Sequence, residues 1–271
     1  MPELPEVETT LNAIKPYVLH QRIQDIVVRK SQLRWAIPEK IQEYLVGQEV
    51  LDLTRRGKYI LFALQSGTLI LHFGMTGRLW LGRKSADLKK HDHVDIHFKN
   101  GIYLRFNDSR RFGALLFSPD DPNEHPLLKH LGKEPFDPDF TGNYLFQKSR
   151  GRKIPVKSMI MDGRIVTGIG NIYAAEALYE AQVLPHKPAG KVSRAQYVKL
   201  AKAIKQVLKK AIKSGGTTLR DFLMPDGDPG HFKVALKVYG RQNAPCKQCQ
   251  TPLRARRIGT RCTVYCPRCQ R

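Results

Sequence analysis

Apolar residues near the start of the chain fall on one helical face. Val7, Leu11, Ile14 and Val18 recur at three- and four-residue steps, the spacing of a helix with one buried side. The pattern predicts a short helix from Pro5 to about Lys15, with Pro16 ending or kinking it, because an internal proline removes a backbone donor. From Ile23 to Phe117 the period changes. Short runs rich in Val, Ile, Leu, Phe and Tyr alternate with turn residues: "VLDLT", "YILFAL", "TLILHF", "HVDIHF", "IYLRF" and "ALLF". Strands at this spacing predict an antiparallel sandwich or barrel. Lys99-Asn100-Gly101 predicts a hairpin with a type I′ turn, and Gln65-Ser66-Gly67 is a weaker hairpin signal.

The second half reads as helical. Ser118 to Asp139 is proline-rich and is read as a linker. One helix is expected from Asn171 to about Ala181. A second, Ser193 to Lys213, has Ser193 and Gln196 as a capping box and Leu200, Ile204, Val207 and Ala211 along one face. Gly215-Gly216 stops it, and Thr217 to Phe232 is expected to be a loop rich in Gly, Asp and Pro. The segment from about Gly240 to Arg271 is too small to fold on a core of its own.

Composition narrows the classes. The chain has 271 residues, 41% of them hydrophobic, enough for one large or two modest domains. No apolar run approaches the roughly 18–20 residues of a membrane span. The opening carries Glu3, Glu6 and Glu8 and lacks the apolar stretch of a signal peptide, so a cytosolic or nuclear protein is expected. Lys and Arg number 46 against 24 Asp and Glu, a formal net charge of +22. The basic residues recur at Arg55-Arg56, Lys89-Lys90, Arg110-Arg111, Lys148 to Lys153 and Arg254 to Arg261, which suits a folded protein whose basic face meets a polyanion, nucleic acid above all.

All five cysteines lie between Cys246 and Cys269. Clustered cysteines in a reducing compartment point to metal rather than disulfides. Cys246-x2-Cys249 and Cys266-x2-Cys269 give two close pairs of soft ligands, the spacing of a tetrahedral Zn²⁺ site, with iron–sulfur ligation as the alternative. Four cysteines leave no position for water, so one structural zinc is expected, and Cys262 is a spare. "LRARRIGTR" between the pairs makes a basic hairpin that would face a phosphate backbone.

Three further stretches have two readings each. "GIGNIY", Gly168 to Tyr173, is either a plain turn with Asn171 opening a helix or a turn whose N–H groups hold a DNA phosphate. "NDSRRFG", Asn107 to Gly113, is either a hairpin loop with Phe112 half in the core or an apolar wedge beside arginines. Pro2-Glu3 is either a stiff lead-in to a helix or, once Met1 is removed, a free secondary amine beside a carboxyl group.

Taken together, "MPELPEVET", "RRGKYI", "LHFGMTGRL", "KHDHV", "RRFGA", "GIGNIYA", "GGTTLRDF" and "YCPRCQ" resemble, in order and over essentially the whole chain, the bacterial formamidopyrimidine-DNA glycosylases. The resemblance implies an α+β multidomain protein: an N-terminal antiparallel β-sandwich with a leading helix, a helix–two-turns–helix domain and a C-terminal four-cysteine zinc finger. The expected division is a catalytic domain over 1–117, a linker over 118–139, a DNA-binding domain over 140–235 and the finger over 236–271. It implies a monomeric cytoplasmic enzyme of base-excision repair on damaged double-stranded DNA. That enzyme would remove oxidised purines such as 8-oxoguanine and formamidopyrimidines, then cleave the strand by β,δ-elimination.

Matched positions receive roles by the same resemblance. Pro2 is the nucleophile and Glu3 the general acid. Lys58 donates a proton in β-elimination, and Arg261 serves δ-elimination. Met75, Arg110 and Phe112 enter the DNA and replace the flipped base, while His91, Arg152 and Asn171 contact the backbone. Thr217 to Phe232 closes over the extruded base. Arg220, where close relatives carry lysine, and Gly163-Arg164, ahead of the "GIGNIY" turn, depart from the pattern. The sister branch that removes oxidised pyrimidines opens on a stretch like "PEGPE"; Leu4 in that gap favours the purine branch. A zinc-dependent DNA-binding protein without catalysis would account for the charge and the cysteines but not for Pro2-Glu3.

Overall fold

The structure, a computed structural model, describes residues 2–83, 87–215 and 236–271. The expected loop over 217–232 and Arg220 lie outside the described residues. Contacts gather the described chain into two units: one runs to residue 129, and the other takes 130–213 and the segment from 236 onward.

The first unit opens with α1 (Leu4–Val18) and continues through β1 (Ile23–Val28), α2 (Ile41–Leu45), β2 (Asp52–Arg56), β3 (Tyr59–Leu64), β4 (Gly67–His72), β5 (Arg78–Gly82), β6 (Asp92–Phe98), β7 (Tyr103–Asn107) and β8 (Ala114–Ser118). The strands form two four-stranded antiparallel sheets, β1-β6-β7-β5 and β2-β3-β4-β8. Their inward positions, among them Phe62, Leu71, Val94, Leu104 and Phe106, make one core, and Val7, Leu11, Ile14 and Val18 of α1 join it. The sandwich, and the helical face that leads into it, are therefore as the apolar pattern predicted. Each of those α1 side chains, at most 4% exposed, contributes about 1.5–3 kcal/mol by leaving water.

Three local expectations are corrected. α1 runs through Pro16 to Val18. The proline is exposed and sits in the last turn, where the carbonyl it leaves without a donor belongs to exposed Asn12, open to water, and buried Val18 holds the turn in place. The β6–β7 hairpin turns by three residues, not by a type I′ pair. The Gly101 N–H meets the Phe98 carbonyl at 3.0 Å, Ile102 closes on Phe98 at 2.8 Å, and Gly101, with φ 79°, is the turn residue in the left-handed region. That is a type I turn followed by a glycine bulge. Finally, the loop after Asn107 is no hairpin: β7 and β8 lie in different sheets, so it crosses from one sheet to the other.

The second unit holds α3 (Gly142–Ser149), α4 (Val156–Ile160), α5 (Asn171–Glu180), α6 (Arg194–Lys213) and the hairpin β9 (Arg254–Ile258)–β10 (Arg261–Tyr265). α4 and α5, with the turns between them, form the helix–two-turns–helix. The capping box of α6 is present: the Ser193 N–H meets Gln196 Oε1 at 3.1 Å and the Gln196 N–H meets Ser193 Oγ at 3.2 Å. The cysteine segment is too short for an independent core and shares one. Val238, Cys246, Leu253, Val264 and Cys266 pack with Ala175 and Tyr179 of α5. The Glu176 carboxylate of α5, 5% exposed, accepts the N–H groups of Lys237, Val238 and Tyr239 at 2.8–2.9 Å and so anchors the chain where it leads into this segment.

Removing that anchor strands buried donors, each costing about 1–3 kcal/mol. Glu176→Ala is expected to lower the stability of the second unit by at least about 2 kcal/mol, measured by urea unfolding, whereas a surface substitution such as Glu180→Ala is expected to change it by less than about 1 kcal/mol.

Candidate DNA interface and catalytic centre

Chain ends fray unless something ties them down. Here Glu3 is the N-cap of α1, and it is 1% exposed. Its N–H donates to Glu6 Oε2 at 2.9 Å, while its carboxylate takes the N–H of Glu6, a closed capping box. Pro2, half-buried, precedes it. α1 packs on β2 and β3. Arg55 of β2 strengthens the junction, its Nε donating to Glu8 Oε2 at 2.5 Å and its Nη1 to the Gly57 carbonyl at 3.0 Å. Gly57-Lys58 is the two-residue turn between β2 and β3. Arg55 thus ties the helix that carries Pro2 and Glu3 to the turn that carries Lys58.

His72, at the end of β4, lies beside this turn. Burial pushes its pKa down to about 4, and the positive charges of Lys58 and Arg34 add to the shift, while Asp108 opposes it. The neutral ring accepts the Gly74 N–H on Nδ1 at 3.1 Å and leans on the Tyr59 ring at 4.6 Å.

Met75 and Phe112 are 40% and 38% exposed, large apolar side chains presented to solvent on a cationic protein. The Arg110 guanidinium lies 4.5 Å from the Phe112 ring centroid. The two loops touch backbone to backbone: a Cβ on Gly74, whose φ is 62°, would come within 2.3 Å of the Phe112 carbonyl carbon. Gln32, Leu33, Arg34, Arg110, Arg111 and Phe112 line a cavity of about 580 Å³. His91, in the left-handed region at φ 77°, offers its carbonyl to the Asp108 N–H at 3.1 Å. The sandwich therefore brings Met75, His91, Arg110 and Phe112 together around one group of loops.

In the second unit, Asn171 is the first residue of α5. Its Oδ1 accepts Lys157 Nζ at 2.6 Å, and the same ammonium, 1% exposed, reaches Thr263 Oγ1 of β10 at 2.7 Å. Asn171 Nδ2 lies 3.4 Å from the Cys262 carbonyl. Lys157 thus joins the turn before α5 to the strand that begins with Arg261. Arg261 Nη1 reaches Met161 Sδ at 3.9 Å, and exposed Arg152 donates to the Lys148 carbonyl at 2.6 Å. The unusual Gly163-Arg164 is accommodated simply: Arg164 forks onto Asp162 at 3.0 Å, and a Cβ on Gly163 would make only an ordinary contact, 3.7 Å from Leu131 Cδ2.

The four cysteine sulfurs lie within 4.8 Å of one another, with Cys246–Cys269 at 3.9 Å and Cys249–Cys266 at 3.5 Å. A tetrahedron with Zn–S bonds of about 2.3 Å has edges of about 3.8 Å, so the donor set fits one structural Zn²⁺. N–H groups of Gln248 and Cys269 point at Cys246 and Cys266, and the Tyr179 hydroxyl, kept protonated by burial and its thiol neighbours, sits 3.2 Å from Cys246 Sγ. Such outer partners orient the ligands. Cys262 is exposed and outside the cluster, as a spare would be.

Arg55, His72 and Lys157 carried no signal of their own in the sequence. Arg55 stood in a basic pair and Lys157 just beyond the basic stretch that ends at Lys153, and the partners Glu8 and Thr263 lie far along the chain. A buried lysine shared by two polar side chains is found only when the fold closes.

A sandwich with a fixed, buried acid at its first helix, an exposed apolar pair among arginines, a helix–two-turns–helix and a four-cysteine hairpin define a DNA-repair glycosylase class. Family models agree: the formamidopyrimidine-DNA glycosylase N-terminal domain matches residues 1–115 and the formamidopyrimidine-DNA glycosylase H2TH domain matches residues 131–223. The formamidopyrimidine-DNA glycosylases of Acidithiobacillus ferrooxidans and Pseudomonas putida are 50% and 53% identical over 271 residues, each match covering 100% of both chains. Among solved structures, Thermus thermophilus MutM (Fpg) is 36% identical with a TM-score of 0.87, covering 99% of this chain and 98% of that one. Lactococcus lactis Fpg non-covalently bound to DNA containing an AP site is 30% identical with a TM-score of 0.89, covering 99% of each. The chain belongs to the formamidopyrimidine-DNA glycosylase family.

The neutral ring of His72 has a consequence for stability. Its folded pKa of about 4 lies below the ordinary 6.5, so on acidification the unfolded chain takes the proton first. The contribution is whole above pH 6.5 and is lost as the pH falls toward about 4, on the order of 3 kcal/mol in all. His72→Asn, which keeps an acceptor for Gly74 without a basic group, is expected to flatten the fall in unfolding free energy between pH 6.5 and 4; a parallel fall in both proteins would contradict this.

Proposed function

We propose that the amine of Pro2, freed by removal of Met1, is the nucleophile of a DNA glycosylase and AP lyase, and that Glu3 is its acid. As a member of its family the protein acts in base excision repair, removing oxidised purines from damaged DNA. The observation that carries the mechanism is the closed capping box. It holds Glu3 buried and leaves its neighbour Pro2 half-exposed at a rigid helix start. An α-amino group has a reference pKa near 7.7–8, so roughly a tenth is unprotonated at neutral pH, hundreds of times the fraction for lysine.

Attack of this nitrogen on the sugar C1′ displaces the damaged base, with Glu3 protonating the ring oxygen or the leaving group. The adduct loses the amine proton and its C1′–O4′ bond opens, O4′ leaving as a hydroxyl with a proton from Glu3; the resulting iminium stays charged without a proton and draws electrons from the C2′–H bond. Loss of that proton expels the 3′ phosphate, and a second elimination expels the 5′ phosphate. Lys58, on the turn tied to α1 through Arg55, supplies a proton in the first elimination, and Arg261 serves the second. Met75, Arg110 and Phe112 fill the space the flipped nucleotide leaves. His91, Arg152 and Asn171 hold phosphates. Cys246, Cys249, Cys266 and Cys269 would hold a zinc ion that supplies folding free energy and keeps the basic hairpin in shape; with no open position it takes no part in the chemistry. The protein works as a monomer in the cytoplasm, where bacterial DNA lies and the thiols stay reduced.

A protein that keeps Met1 or carries an N-terminal tag is expected to bind zinc and DNA but to form no borohydride-trapped complex with 8-oxoguanine duplexes. Glu3→Gln keeps the amine; it is expected to lose base excision while retaining reaction at a preformed abasic site. Normal excision by the blocked protein would refute the amine mechanism and turn attention to Lys58.

A further inference from the structure

We infer that Asp108 is a positioning residue that clamps the two DNA-entering loops into one rigid wedge. The inference rests on the reading of Met75, Arg110 and Phe112 given above. Met75 lies on the loop from β4 to β5, and Arg110 and Phe112 on the loop from β7 to β8. Both loops cross between the sheets, and they do so side by side. Arg78 pairs with Asn107 where β5 meets β7, and His72 pairs with Ala114 where β4 meets β8.

Asp108 stands at the centre of this crossing and is 0% exposed. Its Oδ1 accepts the Thr76 hydroxyl at 2.5 Å and the Arg110 N–H at 3.3 Å, and its Oδ2 accepts the Gly113 N–H at 2.8 Å. Thr76 Oγ1 in turn accepts the Arg110 N–H at 3.1 Å, which closes a ring of bonds between the loops. The backbone of Asp108 extends the clamp: its carbonyl meets His93 Nε2 at 2.8 Å and the Arg111 N–H at 3.3 Å, and its N–H holds the His91 carbonyl. Its carboxylate bonds therefore go to Thr76, next to Met75, and to Arg110 and Gly113, which flank Phe112.

A buried carboxylate is costly unless donors saturate it. Here those donors come only from the loop segments that carry the wedge, and no lysine or arginine side chain pairs with it among the described residues. The arrangement is what insertion into a base stack requires. Unstacking costs a few kcal/mol, and a wedge on independently moving loops would lose part of its stacking in ordering them at the moment of insertion.

Asp108→Asn presents an amide that can accept on one side only, setting its NH2 either against the Gly113 N–H or against the Arg110 N–H that shares Oδ1 with the Thr76 hydroxyl. The test compares single-turnover excision of 8-oxoguanine from duplex DNA with cleavage of a preformed abasic site in single-stranded DNA, where there is no stack to fill. Fluorescence of 2-aminopurine beside the duplex lesion reads unstacking directly. Asp108→Asn is expected to lose about tenfold or more on the duplex and in the fluorescence change, and less than about twofold on the single strand. Thr76→Val, with the hydroxyl alone removed, is expected to lose in the same direction by a smaller factor, and Thr76→Ser to recover it. This pair decides the matter if Asp108→Asn does not fold. Equal loss on both substrates, or none on either, overturns the clamp. Phe112→Ala separates the two readings. If it loses duplex activity while Asp108→Asn and Thr76→Val do not, only the clamp fails; if it too keeps duplex activity, the wedge reading falls and the clamp with it.

Discussion

Reciprocal bonds between Glu3 and Glu6 hold still a part of the chain that would otherwise move. A cap of this kind is worth about 1 kcal/mol, too little alone to fix a terminus. It is joined by four apolar side chains of α1 in the sandwich core and by Arg55, which binds both Glu8 and the Gly57 carbonyl. The helix, the hairpin turn with Lys58 and the first residues of the chain thereby share one rigid frame. The proposed chemistry needs that frame, because a nucleophile misplaced by about 1 Å can forfeit a hundredfold in rate.

In each unit, buried polar groups order the side chains proposed to meet DNA. A formal charge of +22 supplies attraction without selectivity. Selectivity of place comes from buried polar groups that aim exposed ones. Asp108 aims the loops of Met75, Arg110 and Phe112. Lys157 aims Asn171 toward the strand of Arg261. Glu176 and the four cysteines hold the basic hairpin against α5. In each case a buried side chain, saturated with donors or acceptors, sets the geometry of side chains that face solvent.

What could be read from the sequence follows the same division. Val7, Leu11, Ile14 and Val18, the strand runs and the cysteine pairs repeat at intervals that geometry dictates, so periodicity and spacing revealed them. Pro16 misleads because its cost depends on whether the orphaned carbonyl meets water, which only burial shows. Asn100-Gly101 announced a hairpin correctly, yet the turn took three residues, since Asn100 spends its side chain on the Tyr17 carbonyl and the Ile102 N–H instead of adopting positive φ. Lys157, whose partner Thr263 lies 106 residues away, and Arg55, whose partner Glu8 lies 47 away, carried no local sign of those partners. The roles of Lys58, His91 and Arg152 rest on resemblance, because an exposed basic residue on a basic protein looks like any other.

The central claim is that the bond to DNA is made by the nitrogen of Pro2. Borohydride reduction of the reacting complex with an abasic-site duplex, followed by nuclease and protease digestion and mass mapping, locates that bond to a single residue. The account predicts one modified peptide, the one that begins with Pro2, carrying the sugar remnant on its α-nitrogen. A remnant on Lys58 or any other lysine, with an unmodified N-terminal peptide, would contradict it.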